Sequence, residues 1–291
     1  MLGPSRPIEK IKKGADETED FELYYSLHQK MEQKRIKLEN PTPPTKSSSA
    51  STYDPRQIID ALGLFRSKPQ KAQAELLRLK KHLDSKERVL AFLEYDNKSA
   101  YRALLSHIIG LADNFFVAPY EVDLARQQIV TILRELCSVV ANLCHFSVLA
   151  CIETCLHFDD LCRVFIQVLQ DVNQTEEHLL STLRCPVLRL IGNLCEVKEA
   201  ATYVALRARL LDLVASSVAR PQPSAGEGAA DDDEDKAPLE QRQEQGLNSN
   251  DEHYYALRVL RLLATRRKHS NVSGWVGPNS KDLINLAASI L

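Results

Sequence analysis

A chain of 291 residues, 44% hydrophobic and 26% charged, can bury one or two compact cores or a single elongated one. Its formal net charge of −2 creates no overall field toward nucleic acid or an anionic membrane, so neither is expected as a partner. The opening "MLGPSRPIEKIKK" has charges but no apolar run, and no stretch approaches eighteen consecutive apolar residues, so neither a secretory signal nor a bilayer-spanning helix is expected.

Residues 1–54 read as mostly disordered, with one amphipathic helix over about 16–39. That helix begins with acids and ends with Lys34, Arg35 and Lys37, an order that suits the helix dipole. Leu23, Leu27 and Met31 recur at i, i+4 and i+8 on one side of it. The linker "NPTPPTKSSSASTYD" over 40–54 should tether it away from the main body. From residue 55 to 291 the chain reads as helical. Only Gly63, Gly110 and Gly192 lie between residues 59 and 219, and the closely spaced turns that strands need are missing. In "DSKERVLAFLEY", Asp84 and Glu87 suggest a variant capping box, and Pro119 suits the first position of a further helix.

Residues 219–250 shift to Pro, Gly, Gln and acids and read as a disordered acidic insertion. Helix should resume at Asp251. The last dozen residues carry an apolar stripe that includes Leu283, Ile284, Ile290 and Leu291. This stripe is expected to fold back as a cap on the preceding helix.

Some segments resemble one another. "LLSHIIGLA" (104–112) aligns with "VLRLIGNLC" (187–195) when Gly110 is set against Gly192. "SVVANLC" (138–144) sets Asn142 against Asn193, and "VLRLLATR" (259–266) repeats the Val-Leu-Arg-Leu of 187–190. The glycines lie 82 residues apart, twice 41. Val187 and Val259 lie 72 apart, which becomes 40 without the 32-residue acidic insertion. The asparagines lie 51 apart, which fits less well and needs an insertion. Periods of about 40–47 residues belong to armadillo and HEAT repeats.

On "VLRLIGNLC" and "VVANLC", residues 55–291 resemble the armadillo family, with HEAT repeats as the other possibility. The resemblance implies an all-α, right-handed α-solenoid. It also implies that asparagines such as Asn142 and Asn193 face a concave groove and bond the backbone of an extended peptide. An amide offers both a donor and an acceptor, which matches one peptide group. The other reading is that each amide satisfies a neighbouring turn or carbonyl within its own repeat.

All seven cysteines fall between Cys137 and Cys195. An odd number without a secretory signal points to free thiols in a reducing compartment, the cytoplasm and also the nucleus. Cys151, Cys155, His157 and Cys162 lie close together but lack zinc-knuckle spacing, so they read as core, and no metal or cofactor is expected. Phosphate-loop, dinucleotide, nucleophile-elbow and zinc-protease motifs are absent, so catalysis is not expected. The acidic pairs Asp159–Asp160 and Glu176–Glu177 suit helix starts. Arg258, Arg261, Arg266, Arg267 and Lys268 form a basic stretch near the acidic run 231–235. They read either as a solvated helix face or as a binding surface screened by the tethered acids.

The expected function is that of a non-catalytic scaffold or adaptor, binding a protein segment through Asn142, Arg189, Asn193, Arg258 and Arg261. The alternative is a regulatory subunit or co-chaperone that clamps a folded partner. The oligomeric state stays open.

Overall fold

A computed structural model describes residues 15–39, 53–117, 123–170, 174–219 and 239–267. The protein is all-α, with no strand among these residues. The expected linker over 40–54 lies mostly outside them. So do Pro119, the acidic run 231–235, Lys268 and the C-terminal stripe.

Helices α1 (Ala15–Glu39), α2 (Arg56–Gly63) and α3 (Pro69–His82) come first. Nine more follow in threes, each three running short, medium and long. These are α4 (Lys86–Glu94), α5 (Ser99–Val117) and α6 (Asp123–Phe146), then α7 (Val148–Leu156), α8 (Phe158–Leu169) and α9 (Gln174–Cys195). The last three are α10 (Lys198–Ala205), α11 (Ala208–Ala219) and α12 (Leu239–Arg267). Packing follows the same rule. The long helices α3, α6, α9 and α12 stack on one another in succession, and α2, α5, α8 and α11 do likewise. The short helices α7 and α10 touch each other, and α1 lies across both.

Local chemistry sets the boundaries. Pro69 opens α3, where a missing N–H costs nothing, and Lys80, Lys81 and His82 close it near the negative end of its dipole. Ser147 caps α7 by accepting from the Ala150 N–H at 3.3 Å. Helix α4 is capped by Ser85, not by the expected Asp84. The Ser85 hydroxyl accepts from the Arg88 N–H at 3.5 Å, while both Asp84 carboxylate oxygens take the Arg88 guanidinium at 2.9 Å. Asp84 sits one residue too early to cap and serves as an i,i+4 ion-pair partner instead. In α8, Leu161, Phe165, Val168 and Leu169 bury one stripe, and Asp159 and Asp160 occupy the first turn.

The stretch Arg126–Phe146 of α6 has the length and apolar character to cross a membrane, with a mean hydropathy of 1.5. In the fold, 67% of that window is buried, and α3, α5 and α9 pack around it. Its apolar faces are taken up by protein.

Three expectations are corrected. First, α1 is not held away from the body. Leu27 and Met31 are buried in the main core, and α1 packs on α7 and α10. The i,i+4 pair found a seat, which a linker rich in Pro and Ser does not prevent. Second, helix begins at Leu239 rather than Asp251, and residue 219 ends α11. The segment 239–245, "LEQRQEQ", consists of strong helix formers, and its lack of a core does not stop it from extending an already nucleated helix. Third, the glycine alignment fails. Gly110 lies in α5, a middle helix of its three, whereas Gly192 lies in α9, a long one. The asparagines do correspond, since both sit near the C-terminal ends of long helices. The short helices that open the three units start at residues 86, 148 and 198, far from an even step of 40.

Among the described residues, the connection between α4 and α5 is the strained point of the backbone. Asp96, Asn97 and Lys98 have φ of 41°, 51° and 65°, three consecutive non-glycine residues in the left-handed region. The turn carries Lys98 into the interior, where its Nζ donates to Glu153 Oε1 of α7 at 2.8 Å. Lys98 and Glu153 side chains are 5% and 1% exposed, so the pair is desolvated.

Candidate functional site: a cleft across three stacked helices

Long helices packed side by side leave a groove wherever the side chains along their seams are held flat. Here arginines hold them. Arg189 of α9 reaches across to α6, donating from Nη2 to the Ser138 carbonyl at 2.9 Å and to Asn142 Oδ1 at 3.1 Å. Arg258 of α12 reaches across to α9 in the same way. Its Nη1 donates to Asn193 Oδ1 at 2.9 Å and its Nη2 to Glu196 Oε1 at 3.1 Å. Asn193 completes the chain, its Nδ2 donating to the Ala141 carbonyl at 2.7 Å. One rung therefore joins α6 to α9 and a second joins α9 to α12.

Gly192 makes the second rung possible. A Cβ there would lie 3.1 Å from Arg258 Nη1 and 3.7 Å from Val259 Cγ2, so the guanidinium lies against bare backbone. At Gly110 a Cβ would meet nothing within 4 Å, a further sign that the two glycines play different parts.

These rungs floor an open cleft of about 370 Å³, lined by Asn142, His145, Arg189, Asn193, Tyr254, Tyr255 and Arg258. Four of the five expected partner-binding residues meet in it. The fifth, Arg261, is exposed on α12 but does not line the cleft. The two asparagines are not equally available. Asn193 is 4% exposed and has both ends of its amide in use. Asn142 is half-buried. Its oxygen is taken by Arg189, and its Nδ2 has no partner among the described residues. Arg189 Nε is buried without an acceptor. The lining thus offers one unused donor, Asn142 Nδ2, and two guanidinium groups, with His145 and Tyr254 exposed at its rim. Tyr254 is 60% exposed and meets Tyr255 edge to face at 5.2 Å. Burial, against the opposing charge of Arg189 and with help from Cys185 and Asp251, holds the Tyr255 phenol above its usual range, so it stays protonated and able to donate. Tyr254, Tyr255 and His145 were missed in the sequence reading. The YY pair followed by Arg258 one helical turn later is the signal that could have found them.

The cysteines line no such site. All seven are free, and six are buried. Burial pushes Cys137 up to about 12 and Cys162 and Cys185 up to about 11, so these thiols stay protonated at neutral pH. Cys144 lies in a polar knot with the Tyr101 hydroxyl at 3.6 Å and Thr154 Oγ1 at 3.4 Å, and Tyr101 and Thr154 also bond each other. Among the described residues, no group of His, Cys, Asp or Glu could hold a metal ion. Of the basic stretch, Arg266 and Arg267 end α12, and their side chains lie outside the described residues.

Comparison of the chain with protein-family models, with curated proteins and with solved structures finds no match.

Proposed function

We propose that the protein is a non-catalytic scaffold or adaptor, built as an armadillo-like right-handed α-solenoid, that binds an extended segment of a protein partner. The segment lies across α6, α9 and α12 in the cleft of Asn142, Arg189 and Tyr254. The observation that carries this reading is that cleft: an open groove across successive long helices, floored by paired rungs and left with an unused donor on Asn142. Helices recurring in threes, with long helices stacked in one layer, support the repeat architecture. Stacked helical units of this kind offer extended surfaces without preset chemistry. Buried protonated thiols fit a reducing compartment, the cytoplasm or the nucleus.

Asn142 takes the role of peptide reader in this reading. Asn193 is a structural amide of another kind than a bond within its own repeat: it joins its helix to those of the preceding and following units. A backbone carbonyl of the segment would accept from Asn142 Nδ2. A side-chain or terminal carboxylate would meet Arg189 and Arg258.

The test is selection of peptides from a random display library on the full-length chain, followed by affinity measurement on variants. Asn142→Ala should weaken the selected peptides by about tenfold, the worth of one buried hydrogen bond, while circular dichroism and melting stay close to wild type. Lys71→Ala, on α3 and away from the cleft, should change nothing. Peptides that bind both variants as they bind wild type would place the interaction elsewhere.

A further inference from the structure

Helix α1 lies on the face formed by α7 and α10, far along the chain from its own position. Of its residues with described side chains, only Leu27 and Met31 are buried, and they sit one helical turn apart. The other contacts among these residues are polar. His28 Nδ1 lies 3.2 Å from the Tyr203 hydroxyl of α10, and Lys34 Nζ donates to Glu199 Oε2 of α10 at 2.7 Å. Arg35 Nη1 lies 3.6 Å from Glu153 of α7. On α1 itself, Tyr25, Ile36 and Leu38 are 55%, 51% and 42% exposed.

The receiving face does not depend on α1 for its own order. Glu153 is held by Lys98 at 2.8 Å and lies 3.7 Å from Arg102, both on the same side of the chain's long linker as α7. The strained turn at Asp96–Lys98 keeps that carboxylate in place. Tyr203 packs edge to face on Phe158 at 6.2 Å, within the body. The seat therefore presents a groove for two apolar side chains, a phenol hydroxyl and two carboxylates, Glu153 and Glu199, in a fixed pattern.

Among the described side chains, the two buried ones contribute about 1.5–3 kcal/mol each and the partly exposed Lys34–Glu199 pair little more, and attachment to the same chain adds to the hold through effective concentration. A helix from another molecule with the same pattern meets the same seat. We propose that the α7–α10 face is a helix-docking site, occupied in cis by α1. It takes from a partner protein an amphipathic helix with large apolar residues at i and i+4 and cations at i+7 and i+8. Leu27, Met31, Lys34 and Arg35 of α1 stand in that spacing. This site is separate from the α6–α9–α12 cleft and stands or falls independently of it.

The probe is a fluorescein-labelled peptide of residues 15–39, titrated with the full-length chain and followed by anisotropy. Wild type should bind it weakly, because its own α1 fills the seat and apparent affinity falls with the fraction of open seats. Met31→Glu in the full-length chain puts a charge into the apolar groove and releases the resident α1. It should bind the peptide at least about tenfold more tightly than wild type. Lys34→Glu, which sets like charges face to face with Glu199 on a half-exposed side chain, should do the same to a smaller degree, and it serves if Met31→Glu does not fold. A peptide carrying Leu27→Asp and Met31→Asp should bind none of them, and Lys71→Ala, exposed on α3 and away from the α7–α10 face, should leave peptide binding at the wild-type level. Equal peptide binding by wild type and both released chains would overturn the proposal. So would a full-length dimer that disappears with Met31→Glu, since the seat would then belong to a second copy.

Discussion

Two places where separate parts of the chain meet through polar groups are built differently. In the α6–α9–α12 layer, arginines and amides bond across the seams of helices that are already packed along their length. Asn193 has no exposed amide atom to spare there, and Gly192 lets Arg258 lie flat on the backbone. At the α1 seat the apolar contact among the described side chains is two residues, and one of the ion pairs that flank it stays partly in water: Lys34 is 36% exposed and Glu199 26%. Polar bonds laid over a continuous apolar seam act as permanent fasteners. The same kinds of bond around a small apolar contact make a joint that can open.

The difference can be broken most severely beneath α1. Lys98→Ala leaves the buried Glu153 without its 2.8 Å partner and should cost about 3–5 kcal/mol in urea unfolding, the penalty for stranding one member of a buried pair. A loss below 1 kcal/mol would mean that Arg35 and Arg102 compensate fully. Next comes the layer itself. Asn193→Ala removes a donor and an acceptor from buried partners and should lower stability by about 1–3 kcal/mol. Combined with Arg258→Ala, the two losses should be less than additive, since both cut the same rung. Strict additivity would show that the rung is not a unit.

At the opposite joint, Met31→Ala should speed amide hydrogen exchange along α1 by roughly tenfold or more while exchange in α6 and α9 stays unchanged. Uniform acceleration through all helices would make α1 an integral part of the core and remove the contrast. Acid should act in the same direction. Burial pushes the Glu199 carboxyl up, but the Lys34 hydrogen bond and a backbone bond outweigh it and hold the carboxyl below its usual 4.5. Its contribution is thus complete above about pH 4.5 and is lost as pH falls through the depressed folded value. Exchange in α1, corrected for intrinsic rates, should quicken below that point, and Lys34→Met should flatten the response.

The smallest effect separates the two glycines. Gly110→Ala meets open space in a helix interior and should stabilise by about 0.5–1 kcal/mol. Gly192→Ala gains the same helix propensity, but its methyl displaces the Arg258 guanidinium and should return no net gain. A matched gain at both would mean that Arg258 moves aside freely.

Much of this could be read from the sequence, and the failures share a cause. Sparse Gly and Pro and the helical spacing of apolar residues were enough to expect an all-helical body. Asn142, Arg189, Asn193 and Arg258 stood out as polar groups on apolar helices, and the fold brings them together. What sequence could not show was which helix faces which. The Gly110–Gly192 match looked better than Asn142–Asn193 because its spacing was more even. But spacing counts residues, and packing depends on position within each unit. The α1 seat was hidden for the same reason. Leu27 and Met31 were visible as a stripe, but their partners lie more than a hundred residues later, and nothing local in the linker announces a docked helix. Ser85 was passed over for Asp84 because both are good caps, and a one-residue choice rests on backbone geometry that composition does not carry.

The turn at Asp96–Lys98 has a consequence for the order in which the chain acquires its shape. Its three left-handed residues are held by an ion pair whose other half, Glu153, is made 55 residues later. During synthesis the α4–α5 connection emerges before Glu153 exists, so Lys98 has no buried partner until then. Only when α7 has left the ribosome and packed can the Lys98–Glu153 pair form. A nascent chain stalled before residue 147 would carry this connection without the ion pair of the finished protein. A protease or antibody that recognises residues 94–99 in their unpaired form would therefore read how far translation and folding have gone.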